Sequence, residues 1–152
     1  MTRTYIITLL LSLCSLCSYA QQSFFDRYAD MEGVTSVYIS KSMLSLMPNV
    51  QAEGVNIGEL ASKLDNIQIL SSEKPDIIAK LKKEVAYIRP QNGYEELMRV
   101  NDNGDKTTIY LKRGKNEKKE FVLLNDEKNE FNIIVITGDL TLQEIQQIIR
   151  KE

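Results

Sequence analysis

Apolar residues recur along the first half of the chain at two spacings, one typical of amphipathic helices and one typical of strands. Helical spacing appears in Ser23–Met31 and again after Pro75, a residue that the first turn of a helix tolerates. Short β-branched runs, VTSVYIS from Val34 and NIQILSS from Asn66, predict two strands. The apolar stripe after the proline consists of Ile77, Ile78, Leu81, Val85 and Ile88. We therefore expect helices that pack on a sheet.

The segment between the two predicted strands has a weaker pattern. KSMLSLM, from Lys41, predicts a short helix that stops before Pro48, since a residue that precedes proline resists helical geometry. The stretch Pro48–Gly58 is the least periodic part of the chain and is predicted to be a mobile loop. A further helix is predicted from about Asn56 to Lys63.

From Tyr94 onward, four strand-like runs alternate with polar turns, which predicts a four-stranded antiparallel meander. Asn103-Gly104 is a strong hairpin signal because both residues tolerate positive φ. The chain then closes with a predicted helix, whose capping box is Thr141 with Glu144 three residues later. Its apolar stripe consists of Leu142, Ile145, Ile148 and Ile149. Together these elements predict one α+β domain over residues 21–152, with a mixed sheet that ends in the meander.

Residues 1–20 have the pattern of a secretory signal peptide with cleavage after Ala20. The apolar run is too short to span a bilayer as a helix, so no transmembrane span is expected. Cleavage would remove both cysteines, Cys14 and Cys17, and with them any redox or metal role of their C-x-x-C spacing. The alternative is a lipoprotein signal, which the leucine before each cysteine disfavours. The predicted location is the periplasm or cell envelope of a bacterium.

Composition excludes several classes of function. The chain contains no histidine, which removes the usual general base, the commonest zinc ligand and every Ser-His arrangement. Without cysteine, the mature chain would depend on its apolar core instead of disulfides, and carboxylates alone would favour magnesium or calcium. The formal net charge of −2 argues against nucleic acid as a partner of an exported protein. No cofactor is predicted.

Three groups of polar residues are candidates for a catalytic or metal site. The turn Asn101–Asp105 does not match a calcium loop, because an EF-hand alignment puts Arg99 and Tyr110 at ligand positions. Glu95-Glu96 point to opposite faces of a strand, so an acid/base pair needs a partner from elsewhere, such as Asp139. Lys41 stands between two serines, but no S-x-x-K motif is present. No catalytic residue is assigned, and a carboxylate-based hydrolase is the least favoured function.

A cluster of positive charge is predicted at one hairpin tip, where only Glu117 opposes it. Such charge runs are usually solvated faces that also protect sheet edges from pairing. The alternative is contact with an anionic surface or polymer of the cell envelope. The basic residues are Lys112, Arg113, Lys115, Lys118 and Lys119.

Four segments carry a resemblance to a known family: VTSVYISKSML, GYEELMRVNDNGDKTTIYLK, EFVLLN and NIIVITGDLTLQEI. They resemble the exported bacterial family called domain of unknown function 4252, over about Phe24–Ile149. The resemblance implies a small envelope protein, in some members a lipoprotein, and implies no activity or site residue. The leading hypothesis is therefore a non-catalytic protein-interaction or scaffolding module of undetermined oligomeric state. The alternative is a protein that binds a small ligand, beside the loop Pro48–Gly58, or an anionic polymer.

Overall fold

Helices form where the sequence combines apolar spacing with a cap or a proline. The computed structural model describes residues 23–46, 51–52, 55–56, 61–114, 118–141 and 143–144. Three of its helices are α1 (Phe24–Ala29), α2 (Lys41–Ser45) and α3 (Pro75–Val85). Ser23 caps α1 and Ser40 caps α2, each by accepting a hydrogen bond from a backbone N–H of the first turn. These helices lie where the apolar spacing predicts them.

The strands join in an order that differs from the order of the chain. The strands are β1 (Thr35–Ser40), β2 (Gln51–Ala52), β3 (Val55–Asn56), β4 (Leu64–Ser72), β5 (Tyr94–Asp102), β6 (Asp105–Arg113), β7 (Lys119–Asp126) and β8 (Phe131–Gly138). Six of them form one sheet in the order β1-β4-β8-β7-β6-β5, and β2 pairs with β3 separately. The α+β class and the four-stranded meander are confirmed.

The prediction of a mixed sheet is wrong, because every pair in the sheet is antiparallel. Helical connections suggested parallel neighbours of the kind found in βαβ units. Here α3 instead takes the chain from β4, second in the sheet, to β5 at the far edge. The two strands that α3 connects are therefore not neighbours, and its crossover creates no parallel pair.

The stretch predicted as a loop contains the hairpin of β2 and β3. The loop prediction is therefore wrong at residues 51–52 and 55–56, and the helix prediction is wrong at Asn56, which belongs to β3. Residues 61–63 are helical, as predicted. Strands of two residues leave no periodicity in the sequence. The rest of that stretch, residues 47–50, 53–54 and 57–60, lies outside the described residues.

The turn between β5 and β6 has the backbone conformation that its sequence predicts. Asn103 has φ 50° and Gly104 has φ 99°, and Asp102 pairs with Asp105 on either side of them. Two successive positive φ values match the right-handed twist of the flanking strands. The Asn-Gly hairpin is confirmed, and it sets the register of the first two meander strands.

Both faces of the sheet are covered by other elements. On one, the helix face, α1 and α3 place Phe25, Tyr28 and Leu81 against Leu70, Val122 and Ile133 of the strands. On the other, the far face, Leu44 of α2, Ala61 and Leu140 pack on strand residues. Those strand residues are Leu64, Leu111, Phe121 and Ile136. The apolar core thus has two layers, one on either side of the sheet.

A row of six aliphatic side chains crosses the far face from one edge strand to the other. Each member is paired with the next by the strand register: Val37, Ile69, Ile134, Leu123, Ile109 and Met98. Ile109 is buried, whereas the residues at the two ends, Val37 and Met98, are 39% and 41% exposed. We call this set the aliphatic row. It reaches solvent at both edges of the sheet.

The chain after β8 begins with the predicted capping box. The N–H of Thr141 donates to Glu144 Oε2 at 2.7 Å, and the N–H of Glu144 donates to Thr141 Oγ1 at 3.3 Å. Leu140, just before the cap, is fully buried. The remainder of the predicted C-terminal helix, with its stripe of Leu142, Ile145, Ile148 and Ile149, lies outside the described residues.

Residues 1–22 also lie outside the described residues, and with them the predicted signal peptide and both cysteines. Among the helices of the described ranges, none is long and apolar enough to cross a membrane.

Candidate functional site

The predicted basic cluster lies at the turn between β6 and β7. Lys112 and Arg113 end β6, and Lys118 and Lys119 stand at the start of β7, so four of the five residues share one turn. Lys115 falls outside the described residues. Because β6 and β7 are antiparallel neighbours, the turn brings these four cations together as the sequence suggests.

Each of the four cations has a partner of negative or aromatic character. The contacts are Lys118 Nζ to Asp65 Oδ2 at 2.6 Å, Lys119 Nζ to Asp139 Oδ1 at 3.4 Å, Arg113 Nη2 to Glu95 Oε2 at 3.5 Å, and Lys112 Nζ at 4.8 Å from the centre of the Tyr94 ring. Exposed ion pairs of this kind are weak and are screened by salt. The turn is thus less cationic than its sequence suggests, and its contact with an anionic polymer stays a prediction.

Asp65, near the start of β4, forms ion pairs with two lysines, one from the β6–β7 turn and one from α2. Besides Lys118, it accepts a hydrogen bond from Lys41 Nζ at 3.2 Å. Hydrogen bonding from Lys118 and then from Lys41 holds the pKa of the Asp65 carboxyl below its usual range. Asp65 therefore connects the β6–β7 turn to α2, although the three residues are far apart in sequence.

The carboxylates considered for acid/base chemistry are not brought together. Glu95 lies on β5, while Asp139 follows β8, three strands away in the sheet, which corresponds to about 14 Å. Glu96 forms an ion pair with Arg99, and Asp139 forms one with Lys119. Each carboxylate thus faces a different cation, and this arrangement does not make a paired-carboxylate site.

The Ser-Lys arrangement around Lys41 has structural roles. Ser40 Oγ accepts the hydrogen bond that caps α2, and Lys41 pairs with Asp65. In the ranges that the structure describes, no group of three or more acidic residues is arranged to hold a metal ion. The hairpin turn tested above against a calcium loop uses Asp105 to accept the backbone N–H of Lys128 at 3.2 Å.

A small cavity of about 140 Å³ lies between α1 and the helix face of the sheet. Phe24, Phe25 and Val122 contribute apolar walls, and Gln68 and Glu120 contribute polar groups. The hydroxyl of Tyr94 donates to Glu120 Oε1 at 2.8 Å. Burial, and then the hydrogen bond to Glu120, raise the pKa of Tyr94 well above its usual value. The ligand site expected beside the Pro48–Gly58 stretch stays a prediction, because most of that stretch lies outside the described residues.

The outer side of β1 is the less protected edge of the sheet. None of the residues Thr35–Ser40 is charged and none is proline. Among the described residues, no backbone hydrogen bond from a turn or loop reaches this strand, which pairs with β4 on its other side. Alternate residues of an antiparallel strand direct N–H and C=O groups away from the neighbour, so these groups face outward here. We call this feature the β1 edge.

The opposite edge of the sheet is protected in two ways that β1 lacks. Strand β5 carries Glu95, Glu96, Arg99 and Asp102, and its register shifts between Glu96 and Met98. Charged side chains and bulges both hinder the addition of another strand. Within the part of the chain that the structure describes, the sheet therefore presents one blocked edge, at β5, and one free edge, at β1.

Exposed apolar side chains are concentrated next to the free edge. Seven large hydrophobic residues of the described chain are exposed, and four of them lie on β1 and on α2 with its C-cap: Val37, Tyr38, Met43 and Leu46. Tyr38 is 58% exposed on the helix face, with its ring centre 6.3 Å from that of Phe25, and Val37 lies on the far face. These exposed apolar residues therefore lie on both faces of the sheet, beside β1.

The sequence predicts that VTSVYIS is a strand, and it does not predict that this strand lies at an edge of the sheet. A run of six uncharged residues between Val34 and Lys41 was the available signal. An uncharged run also fits a central strand, however, and only the sheet order places it at an edge.

A comparison with protein families matches residues 28–148 to the family described as domain of unknown function DUF4252. The chain belongs to this family. The DUF4252 match covers the chain from α1 to beyond the capping box, and so includes the whole sheet. It confirms the resemblance noted in the sequence. No curated protein gives a significant match. The family carries no assigned activity, so the function has to be argued from the surface of this chain.

Proposed function

We propose that this DUF4252 protein is a non-catalytic protein-interaction module exported to the cell envelope, and that it binds its partner through the β1 edge. The single observation that carries the proposal is the contrast between the two edges of the sheet. The β5 edge is charged and bulged, whereas the β1 edge is uncharged over its whole length and flanked by exposed apolar side chains.

The physical basis is the cost of leaving such an edge free. Outward N–H and C=O groups form a template for an additional strand, and proteins normally block that template with charge, proline or a bulge. Binding by strand addition derives its affinity from backbone hydrogen bonds and its selectivity from alternate side chains. On the β1 edge those alternate side chains are Val37 on one face and Tyr38 on the other.

Export is supported by the sequence of the first twenty residues alone. Its test is the mass of the N-terminal peptide of the protein purified from cells. Cleavage after Ala20 gives a chain that begins at Gln21, whereas lipid attachment gives a chain that begins at a modified Cys17. Recovery of the chain with Met1 intact from the cell envelope would contradict cleavage.

Interaction through the β1 edge is tested by affinity capture from cells with three forms of the tagged protein. Val37→Lys places a charge at the β1 edge, and Met98→Lys is its matched control. Met98 lies at the other end of the same aliphatic row with nearly equal exposure, 41% against 39%. We expect a set of captured proteins that Met98→Lys retains and Val37→Lys loses. Equal capture by both variants would show that the β1 edge does not carry the interaction.

The second candidate is contact with an anionic polymer through the β6–β7 turn. The observation that favours it is the convergence of four cations on one turn, beside a surface recess lined by Arg113, Gly114, Lys118 and Lys119. The double variant Lys118→Glu/Lys119→Glu should weaken binding to a polyanion and flatten its salt dependence. Lys80→Glu/Lys83→Glu on α3 makes the same change of charge at exposed positions elsewhere. Equal loss in both variants would indicate a general effect of charge and exclude a site at the turn.

A further inference from the structure

We infer that the partner seated on the β1 edge is a second copy of this chain, so that two β1 strands pair antiparallel about a two-fold axis perpendicular to the sheet. The inference rests on the proposed function and names its partner. The two six-stranded sheets would become one continuous sheet of twelve strands, with α1 and α3 of both copies on the same face.

The register of this pairing follows from the side chains that the strand presents. Side chains alternate between the two faces of a strand, so odd-numbered and even-numbered residues lie on different faces. A two-fold axis perpendicular to the sheet keeps each face in place. An odd-numbered residue of one copy must therefore pair with an odd-numbered residue of the other. With the axis at Val37, Val37 of one copy faces Val37 of the other. Thr35 then faces Ile39 of the second copy. The aliphatic row would then continue across the dimer, because its end at Val37 meets the same end of the second copy.

Charge at the two ends of β1 favours this self-pairing. Glu32 precedes the strand, has a side chain that is 98% exposed, and has its nearest cation, Lys74 Nζ, 3.7 Å away. Lys41 follows the strand, is 65% exposed, and pairs with Asp65 of its own copy at 3.2 Å. In the proposed register Lys41 of one copy faces Gly33 of the other, directly beside Glu32. Each end of the ladder thus places a cation of one copy next to an anion of the other.

An axis shifted to Tyr38 does not give this match. Lys41 would then face Thr35 of the second copy, three residues away from Glu32, so the two charges would no longer be neighbours. The tyrosine side chains, which already contact Phe25 within each copy, would also meet at the axis. The charge pattern therefore favours the register centred on Val37 over the one centred on Tyr38.

The oligomeric state of the purified protein tests the inference. Sedimentation over a range of concentrations should show a reversible dimer of the wild-type chain. Val37→Lys should raise the dissociation constant by at least about tenfold, because like charges would face each other directly across an antiparallel pair. Met98→Lys should leave the dissociation constant unchanged. A monomer at all concentrations in the wild type, or equal weakening by both variants, would overturn the inference.

Charge exchange tests the register itself. Glu32→Lys alone should raise the dissociation constant by about fivefold, in the range of exposed ion pairs made twice per dimer. The exchange Glu32→Lys/Lys41→Glu should recover most of that loss, since it restores opposite charges at both ends. A double variant that dimerises no better than the single one would exclude this register. Melting temperatures of each variant show whether the fold is intact.

A photoactivatable residue in place of Tyr38 distinguishes failure of the inference from failure of the proposed function. Cross-linking in cells should give a product with the mass of two chains. A product that contains a different protein would overturn the second copy as the partner and leave the interaction through β1 in place. Absence of any cross-linked product at the exposed Tyr38 position would contradict both the second copy as partner and the proposed interaction through the β1 edge.

Discussion

Lys118 Nζ lies 2.6 Å from Asp65 Oδ2, and this contact joins the β6–β7 turn to the first residues of β4. The same carboxylate binds Lys41 of α2. Asp65 is 20% exposed, whereas both lysines are more than half exposed. The carboxylate is therefore the most buried member of the group, and it holds the two more exposed lysines next to each other.

Replacement of Asp65 by Asn should destabilise the fold by about 0.5–1 kcal/mol at neutral pH, the upper range for partly exposed pairs. The pKa of Asp65 is lowered in the folded state, so its contribution exists above its usual value of 3.8 and is lost as the pH falls through the lowered folded pKa. Urea unfolding at pH 7 and near pH 3 measures the difference. The control Asp139→Asn removes a carboxylate that is 67% exposed and 3.4 Å from its lysine, and it should cost less.

The capping box offers two variants with different pH dependence. Thr141→Ala should cost about 1 kcal/mol through the lost cap, with a smaller pH dependence than Glu144→Gln, because the Thr141 hydroxyl lowers the pKa of Glu144 less than Lys63 does. Glu144→Gln keeps a residue that suits the capping box but removes the charge that faces Lys63. Hydrogen bonding from Lys63 and then from the N–H of Thr141 lowers the pKa of Glu144 to about 2.

That depressed pKa determines the direction of the pH effect for Glu144→Gln. The carboxylate contributes stability above its unfolded value of 4.5, and the contribution disappears as the pH falls toward about 2. We expect a loss of about 1 kcal/mol at pH 7, discounted because Lys63 is partly exposed. Denaturant unfolding of both variants from pH 7 to pH 3 measures it. A loss for Glu144→Gln that does not change with pH would contradict the ion pair.

Gly138 is required where β8 passes close to the chain that enters β4. A Cβ at this position would lie 2.4 Å from the carbonyl oxygen of Lys63 and 2.9 Å from Leu64 Cα, both backbone atoms. Gly138→Ala should destabilise the protein by about 2–3 kcal/mol, since backbone shifts are needed to relieve the overlap. Gly114→Ala, where the nearest atom is the carbonyl oxygen of Lys118 at 3.0 Å, should cost less. Thermal unfolding compares the two, and equal melting temperatures would contradict the close approach.

Adjacent isoleucines of β8 should respond differently to a charge. Ile133 is 2% exposed on the helix face, whereas Ile134 is half-buried in the aliphatic row. Ile133→Asp should prevent folding, because it buries a carboxylate without a partner. Ile134→Asp should yield a folded but destabilised protein. Circular dichroism of the two purified variants is the measurement, and the reverse order would show that the faces of β8 are wrongly assigned.

Local sequence pattern predicts most of the individual elements correctly. The periodicity from Pro75 to Val85 and the Asn103-Gly104 turn depend on neighbouring residues alone, and both appear as expected. The β2–β3 hairpin was missed because two-residue strands have no period. The mixed sheet was wrong because spacing along the chain does not say which strands become neighbours.

The candidate site was the least predictable feature, for the same reason. The sequence shows which residues of the β6–β7 turn are basic, and it does not show that Asp65, Asp139 and Glu95 lie beside them. Nor does the uncharged run Thr35–Ser40 reveal whether it lies at the centre or at the edge of a sheet.

The sequence by itself determined where most of the described helices and strands form, where the meander turns, and that no histidine-based chemistry is available, since these depend on composition and short-range spacing. Tertiary structure alone decided that α3 carries the chain to the far edge, that β1 has one side with which no described strand pairs, and that the basic turn meets carboxylates. These are contacts between residues far apart in the chain, and they depend on how the two apolar faces of the sheet are covered together.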